Sequence, residues 1–579
     1  MKKILFGLTL VASLVALSGC ESRLDIPQKG VVPMEDYYKT DEDAEAALIG
    51  AYYTNARYYS NNGNSALGWN DSPFLSLWTY ASDEIYAAGN NNADNVPQQE
   101  VHSFRFDNNN SVVTGVYQSW YQCIYSCNLV IDNFAGEKAD TPIKKRCVAE
   151  ARVLRAHAQL MLALGWGTAP IVDHVLSADA KPGNAESQEY VLEWIANECD
   201  LAMADNVLRE RESASDKNGA VMVTKAFAQA VKGKALLSLK RWEDAKEALR
   251  PIVESDKYAL VPSDQMEDLF HLEGDGCSES IFEFNLVWDA SNGDYYMRTP
   301  LNQPILWNWR SEKMYMPNGD GTQVVNNGWG EVNPSKKFIE TLLEHDGINS
   351  ARRKAWVKSY DEVLYEMPYT SDATATTMEA KMKDRSRGIH AADGLYGHIG
   401  WFMWKRNYRP SDLNPSQQIM YNFPIMRLPE VLLMYAEACA MTGDPDGSGL
   451  AALNRIQDRA QSQHRSTECT MEEVKVEKFL ECWLECTRFQ DLVRWGDAEK
   501  ELGDNGTYYP SFCDGMFTNQ EEEHRGYVDE SNATWCIDRY GDKVGFKSGK
   551  HELFPFPFSE IQINPNIKQN PGWTTAAAE

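Results

Sequence analysis

From Thr224 to Ile252 the chain spells a short helix, a tight turn and a second short helix, with alanines where the two must touch. Thr224 is a residue type that opens helices. After it, Ala228, Val231, Ala235 and Leu239 recur at the three- and four-residue spacing of one helix face. The turn at Lys240-Arg241-Trp242 leads to a second stripe of Ala245, Ala248, Leu249 and Ile252. Small side chains at the crossing let two backbones approach closely. A unit of this size cannot bury its own apolar stripe, so it must stack on neighbours of the same kind. The chain is thereby restricted to a mainly helical, repeat-like architecture.

Other segments extend this reading. Between Leu428 and Ala460 one helix carries Val431, Leu432, Tyr435, Ala436 and Cys439, and the next carries Leu450, Leu453 and Ile456. The loop between them, Gly443 to Gly449, contains Asp444-Pro445-Asp446-Gly447. The remaining ligands of a calcium-binding EF-hand are missing, so it reads as a plain turn. Thr141-Pro142 starts a long helix with Val148, Ala151, Leu154, Ala158, Met161 and Leu162 on one face, and Gly165, Gly167 and Pro170 stop it. Thr470-Met471-Glu472-Glu473 is a capping box leading to Val476, Phe479, Leu480 and Trp483. These are tetratricopeptide-like helix pairs, interrupted rather than tandem. Between them run long stretches rich in Asn, Gly, Pro and aromatics: Asn61 to Phe106, Trp288 to Asn333 and Gly503 to Lys550. Loops of that length usually carry function or wrap a scaffold.

The N-terminus reads as an export signal. Lys2 and Lys3 precede an apolar run from Ile4 to Leu17, too short for a permanent bilayer span but suited to a signal-peptide core. It ends in Leu17-Ser18-Gly19-Cys20, which resembles the lipobox of bacterial lipoproteins: small residues ahead of a cysteine whose thiol is expected to take lipid. Each buried methylene of an acyl chain contributes about 0.8 kcal/mol, so several chains tether a protein durably. We therefore expect residues 1–19 to be removed and Cys20 to be the lipidation site.

Charge excludes one class of partner. Loss of Lys2 and Lys3 with the leader takes the formal charge from −28 to −30, and no basic run with interleaved aromatics offsets it. A surface this acidic repels phosphate backbones, so nucleic-acid binding is not expected. Of the 12 cysteines Cys20 goes to lipid, leaving an odd number, so at least one stays unpaired within the chain. Cys123/Cys127 and Cys482/Cys486, four apart, read as small buried hydrophobes. HExxH, GxSxG and Walker A motifs are absent, and the histidines show no metal-ligand spacing. No catalytic residue, cofactor or metal site is expected.

Six segments, in order, resemble the SusD/RagB family of Bacteroidetes outer-membrane lipoproteins: the lipobox at Cys20; Ser82-Asp83-Glu84; Ala149 to Ala156; Ala226 to Leu260; Met426-Arg427-Leu428-Pro429-Glu430 through Ala438; and Glu485 to Gly496. The tail with Asn564-Pro565-Asn566 and Gln569 to Trp573 fits as well. One departure lies at Cys486-Thr487, where the family usually has glycine and histidine. These motifs read as structural, with Arg427, Glu430, Glu437, Arg488, Asp491 and Arg494 in polar networks between helices. The resemblance implies one SusD-like domain over 20–579. Its parts would be a helical frame to about 260, a loop-rich ligand-binding region over about 280–420, and C-terminal helices and tail beyond. It also implies an outer-membrane location facing the cell exterior, a SusC-like TonB-dependent transporter as partner, and capture of oligosaccharides for uptake.

Glycan capture needs flat aromatic faces for sugar C–H surfaces, with amides and carboxylates for hydroxyls. Two groups offer both. Trp288, Tyr295, Tyr296, Trp307 and Trp309 lie among asparagines and Gln303, and Trp69, Trp78 and Tyr86 lie close to Asp83 and Asn91. The competing readings are a peptide-capturing RagB-like protein, a structural lid without a pocket, and a glycan hydrolase with two carboxylates among many acids.

Overall fold

Threonine and serine caps decide where the long helices begin. The computed structural model describes residues 37–60, 73–87, 95–286, 314–315, 330–359, 362, 390–391, 395–396, 399–413, 420–512, 534–537 and 544–574. Chain-ordered elements used below are α1 (Asp41–Ser60), α2 (Pro73–Tyr80), β1 (Ile85–Ala87), α3 (Ser111–Phe134), α4 (Pro142–Trp166), α5 (Gln188–Met203), α6 (Lys225–Ser238) and α7 (Trp242–Val253). They continue with β2 (Ser280–Phe284), β3 (Val332–Pro334), α8 (Lys336–Asp346), β4 (Phe423–Arg427), α9 (Leu428–Met441), α10 (Ser448–Ala460), α11 (Met471–Glu481), α12 (Arg488–Trp495) and α13 (Ala498–Leu502).

Thr141 Oγ1 accepts from Lys144 N, and Thr224 Oγ1 accepts from Phe227 N, as the sequence requires of them. The predicted pair is α6 and α7, with Ala228, Ala235, Ala245 and Leu249 fully buried at the crossing. A Cβ on Gly233 would lie 2.5 Å from Leu249 Cδ2, so that glycine lets the two helices meet. Packing then runs in one chain of neighbours: α3 on α4, α4 on α5, α5 on α6, α6 on α7, α7 on α9, and α9 on both α10 and α11. The second pair thus stacks on the first across an insertion. The antiparallel pairing of β2 with β4, Ser280 opposite Arg427 and Phe284 opposite Phe423, ties the two ends of that insertion together.

Three local expectations need correction. Gly165 does not stop α4; it lies inside the helix, where a Cβ would meet Trp78 Cη2 at 3.0 Å and Phe554 Cδ2 at 3.3 Å. The stretch from Asn61 to Phe106 is not simply loop, because it contains α2, β1 and a further helix over Val96–His102. At Thr470 only half of the capping box forms. Thr470 Oγ1 accepts from Glu473 N, while the Glu473 carboxylate turns away to Ser466 Oγ and His464. In the turn after α9, Asp444 accepts from Gly449 N and Leu450 N at the start of α10.

A buried charge network lies beneath β4. Arg427 reaches Glu279, Glu481 and Glu485; Arg459 bridges Glu279 and Glu481; and Lys405 Nζ lies 2.6 Å from Glu485. Arg352 continues it to Asp346, Glu477 and Glu481. Elsewhere Glu430 pairs with Lys234, Glu437 with Arg494 and Asp491 with Lys478, so these family-motif charges do join helices to one another. The nine described thiols form no disulfide, and most are buried. Burial pushes Cys127 and Cys486 up to about 12, which makes them inert space-fillers. No helix among the described residues is long and apolar enough to cross a membrane.

Candidate functional site

Strand β1 carries Tyr86 between Ile85 and Ala87 and pairs antiparallel with β3, Tyr86 opposite Asn333 and Ala87 opposite Val332. Asn333-Pro334-Ser335 then turns into α8, where Ser335 Oγ accepts from Phe338 N and caps the helix. From that cap, Lys337, Glu340, Thr341 and Glu344 follow at helical spacing along one polar face. The opposite face drives Phe338 flat onto Trp483, with ring centroids 4.3 Å apart and planes 13° apart. Helix α13 and the turn after it supply Glu501, Asp504 and Asn505. Together these elements enclose an open groove of about 470 Å³ lined by Asp83, Tyr86, Lys337, Glu340, Glu501 and Asn505, among others. Its rim carries an aromatic ring, carboxylates, ammonium groups and an amide.

Asp83 lies at the base of the groove with its carboxylate committed. Arg488 Nε and Nη2 donate to its two oxygens at 2.8 and 2.9 Å, and Lys337 Nζ bridges Asp83 and Glu501. Burial opposes ionisation, but Arg488 and Lys337 overcome it and hold the Asp83 carboxyl at about 2. Its neighbour Glu84 behaves oppositely: burial, then the charge on Asp83, push it up to about 8. Asn505 Nδ2 donates to Ser82 O, so the far wall is fastened to the same short segment.

This pair predicts a pH response. A carboxyl with a raised folded-state value keeps its proton when the unfolded chain has lost it. Its stabilising contribution is complete below about pH 4.5 and is lost as pH rises through about 8. Asp275, also pushed up to about 8, chiefly by burial, acts in the same direction. Glu84→Gln should therefore shrink the fall in urea midpoint between pH 5 and pH 9, with Asp275 retaining its share. An unchanged pH slope in the variant would show that Glu84 is ionised in the fold.

Of the residues chosen from sequence, Asp83 and Tyr86 come together in the groove. Trp78 does not belong with them. It is 1% exposed on α2, packed against Phe489 and Phe554, and is a core residue unavailable for stacking on a ligand. Trp69, Asn91, Trp288, Tyr295, Tyr296, Trp307 and Trp309, with Cys20, the expected lipidation site, lie outside the described residues. Sequence reasoning missed the α8 wall. Its signal was the Ser335 cap followed by the polar spacing of Lys337, Glu340, Thr341 and Glu344.

Stacked helix pairs closed by a two-stranded tie, with an open polar groove beside the inserted segments, define a helical-repeat scaffold with a lateral site. The chain belongs to the SusD family, whose profile matches residues 278–573. A SusD-like protein of Bacteroides ovatus is 23% identical, covering 97% of this chain and 97% of its own. SusD-like protein P2 of Formosa agariphila is 24% identical over 87% of this chain and 93% of its own. Among solved structures, a laminarin-binding SusD-like protein shares the fold with a TM-score of 0.69 at 21% identity, covering 93% of this chain and 100% of that one. Surface glycan-binding protein A from Bacteroides thetaiotaomicron, in complex with laminarihexaose, matches with a TM-score of 0.66 at 20% identity over 92% and 100%.

Proposed function

We propose that this protein is a non-catalytic glycan-binding lipoprotein. It is anchored through lipid on Cys20 to the outer membrane, faces the cell exterior, and passes captured oligosaccharides to a SusC-like TonB-dependent transporter. Residues 20–579 act as one body in this reading. The observation that carries it is the β1·β3 pairing, which joins Ala87 to Val332 at the edge of the groove. Tyr86 on β1 and Asn333 on β3 belong to the two Asn- and aromatic-rich stretches, so the pairing brings one point of each stretch together beside the groove. Family membership, and the glycans bound by proteins sharing the fold, support the same reading.

Affinity electrophoresis against plant, host and microbial polysaccharides, laminarin included, tests it, with calorimetry on any hit. Tyr86→Ala, Trp288→Ala and Trp307→Ala should each weaken binding about tenfold, the equivalent of about 1.4 kcal/mol, without moving the unfolding midpoint by a comparable amount. Silence across the panel would remove glycan capture. A specific observation favours a second reading. Glu340, Glu344, Glu501 and Asp504 make the groove wall largely acidic, which suits a cationic peptide. Binding of a basic peptide pool with no glycan signal would select that reading, and silence with both would leave a structural lid.

A further inference from the structure

We propose that His345, His464 and Glu473 form a binding site for a divalent transition metal of the zinc class. The three residues come from separate stretches of chain. His345 lies in the last turn of α8, His464 follows α10, and Glu473 sits in the first turn of α11. One ligand atom from each lies within 4.8 Å of the others. Backbone hydrogen bonds fix the meeting, with His464 N donating to His345 O at 3.0 Å and Gln463 N to Asp346 O at 3.1 Å.

The wiring of His345 points to a metal. Its Nδ1 lies 2.8 Å from Asp346 Oδ1 and 3.2 Å from Ser462 Oγ, so the ring proton is held on that side. A carboxylate behind an imidazole orients it and leaves the other nitrogen as a lone-pair donor. That nitrogen, Nε2, is buried without a hydrogen-bond partner among the described residues. Glu477 Oε2, 3.7 Å away, is buried and equally without a hydrogen bond. Had Nε2 carried a proton, the two atoms would be expected to close to hydrogen-bond distance; instead both remain unsatisfied, at a cost that a cation between them removes.

The donor set fixes the class. Two imidazole nitrogens and a carboxylate suit zinc and its neighbours, whereas calcium and magnesium take all-oxygen sets. Around a tetrahedral ion with bonds of about 2.0–2.2 Å, ligand atoms sit about 3.3 Å apart. His464 Nε2 and Glu473 Oε2, now 2.8 Å apart, need only open slightly, and a ring nitrogen of His345 lies within 4.8 Å of a ligand atom of each. Glu477 or a water fills the fourth position. The site also gives a use to the Glu473 carboxylate, which abandons its capping-box partner for this cluster. Metal there clamps the C-terminal end of α8, the helix whose other end carries Lys336 and Lys337 along the groove.

The test uses the full-length chain in detergent, stripped with EDTA and dialysed. Calorimetric titration with zinc chloride should give one equivalent per chain, and cobalt(II) should produce a visible absorption band of low-coordinate nitrogen–oxygen ligation. His464→Gln and Glu473→Gln, at partly exposed positions, should each weaken zinc at least tenfold and abolish the cobalt band while unfolding cooperatively. Absence of a one-equivalent zinc site would overturn the proposal, as would zinc binding unchanged in both variants, or calcium binding in preference to zinc. His345 would then be a structural link between Asp346 and Glu477.

Discussion

Replacing Arg427 by Met should destabilise the fold by about 3–5 kcal/mol at pH 7, because it strips the shared cation from three buried carboxylates. Arg427 is 1% exposed and reaches Glu279, Glu481 and Glu485, with Nε 2.9 Å from Glu485 Oε2. Burial alone pushes Glu485 up, and Arg427 with Lys405 brings it down to about 2. Without the guanidinium, Arg459, Lys405 and Arg352 remain, too few positive groups for the carboxylates they share. The orphaned carboxyls then take protons at higher pH than the unfolded chain does. The sign follows: the variant's deficit should be largest at neutral pH and shrink as the pH is lowered to 5. Urea midpoints of both proteins at the two pH values measure this. A loss below about 1 kcal/mol, or an equal deficit at both pH values, would show that the network relaxes around the gap. Arg465→Met, which removes the exposed pair with Asp458, is the control and should leave the midpoint in place.

The same residue shows what the sequence can reveal. Arg427 stands in the Met426-to-Ala438 segment that marks the family, and its role between helices is legible there because a charged residue beside an apolar helix must be paired. The helix pairs are legible too, since alanine spacing and threonine caps are local signals. What is not local does not show. Asp83 reads as a ligand residue beside Tyr86 until Arg488, far along the chain, is seen to occupy both its oxygens. Trp78 reads as a loop aromatic because its surroundings are rich in Asn and Gly. Yet Pro73–Tyr80 is a short helix with apolar residues on several sides, the mark of burial rather than display. Composition alone cannot separate an aromatic pinned beneath the chain from one offered to a ligand. His345 and His464 likewise show no metal-ligand spacing, because the contact between them is made by the fold.

Two glycines with nearly the same backbone angle should respond very differently to a methyl group. Gly545 has φ +85° and Gly549 has φ +81°, so alanine at either position meets the left-handed penalty of about 1–2 kcal/mol. At Gly549 nothing lies within 4 Å of the new Cβ, and that penalty is the whole cost. At Gly545 the Cβ would sit 1.8 Å from the Gly503 carbonyl oxygen and 2.4 Å from its carbon. Backbone cannot rotate away as a side chain does, so the two strands of chain must separate. Separation breaks the hydrogen bonds from Gly545 N to Ser103 O and from Phe546 N to Leu502 O. It also lifts Phe546 from its packing against Phe104 and Phe489. Gly545→Ala should therefore cost about 3 kcal/mol or more beyond Gly549→Ala, from lost hydrogen bonds and core packing. The displaced turn holds Asp504 and Asn505, which line the groove, so any ligand bound there should be released faster from the Gly545 variant at temperatures where it is still folded. Unfolding midpoints of the two alanine variants side by side decide the matter, and equal losses would mean that the Gly503 turn yields without resistance and does not fix the groove wall.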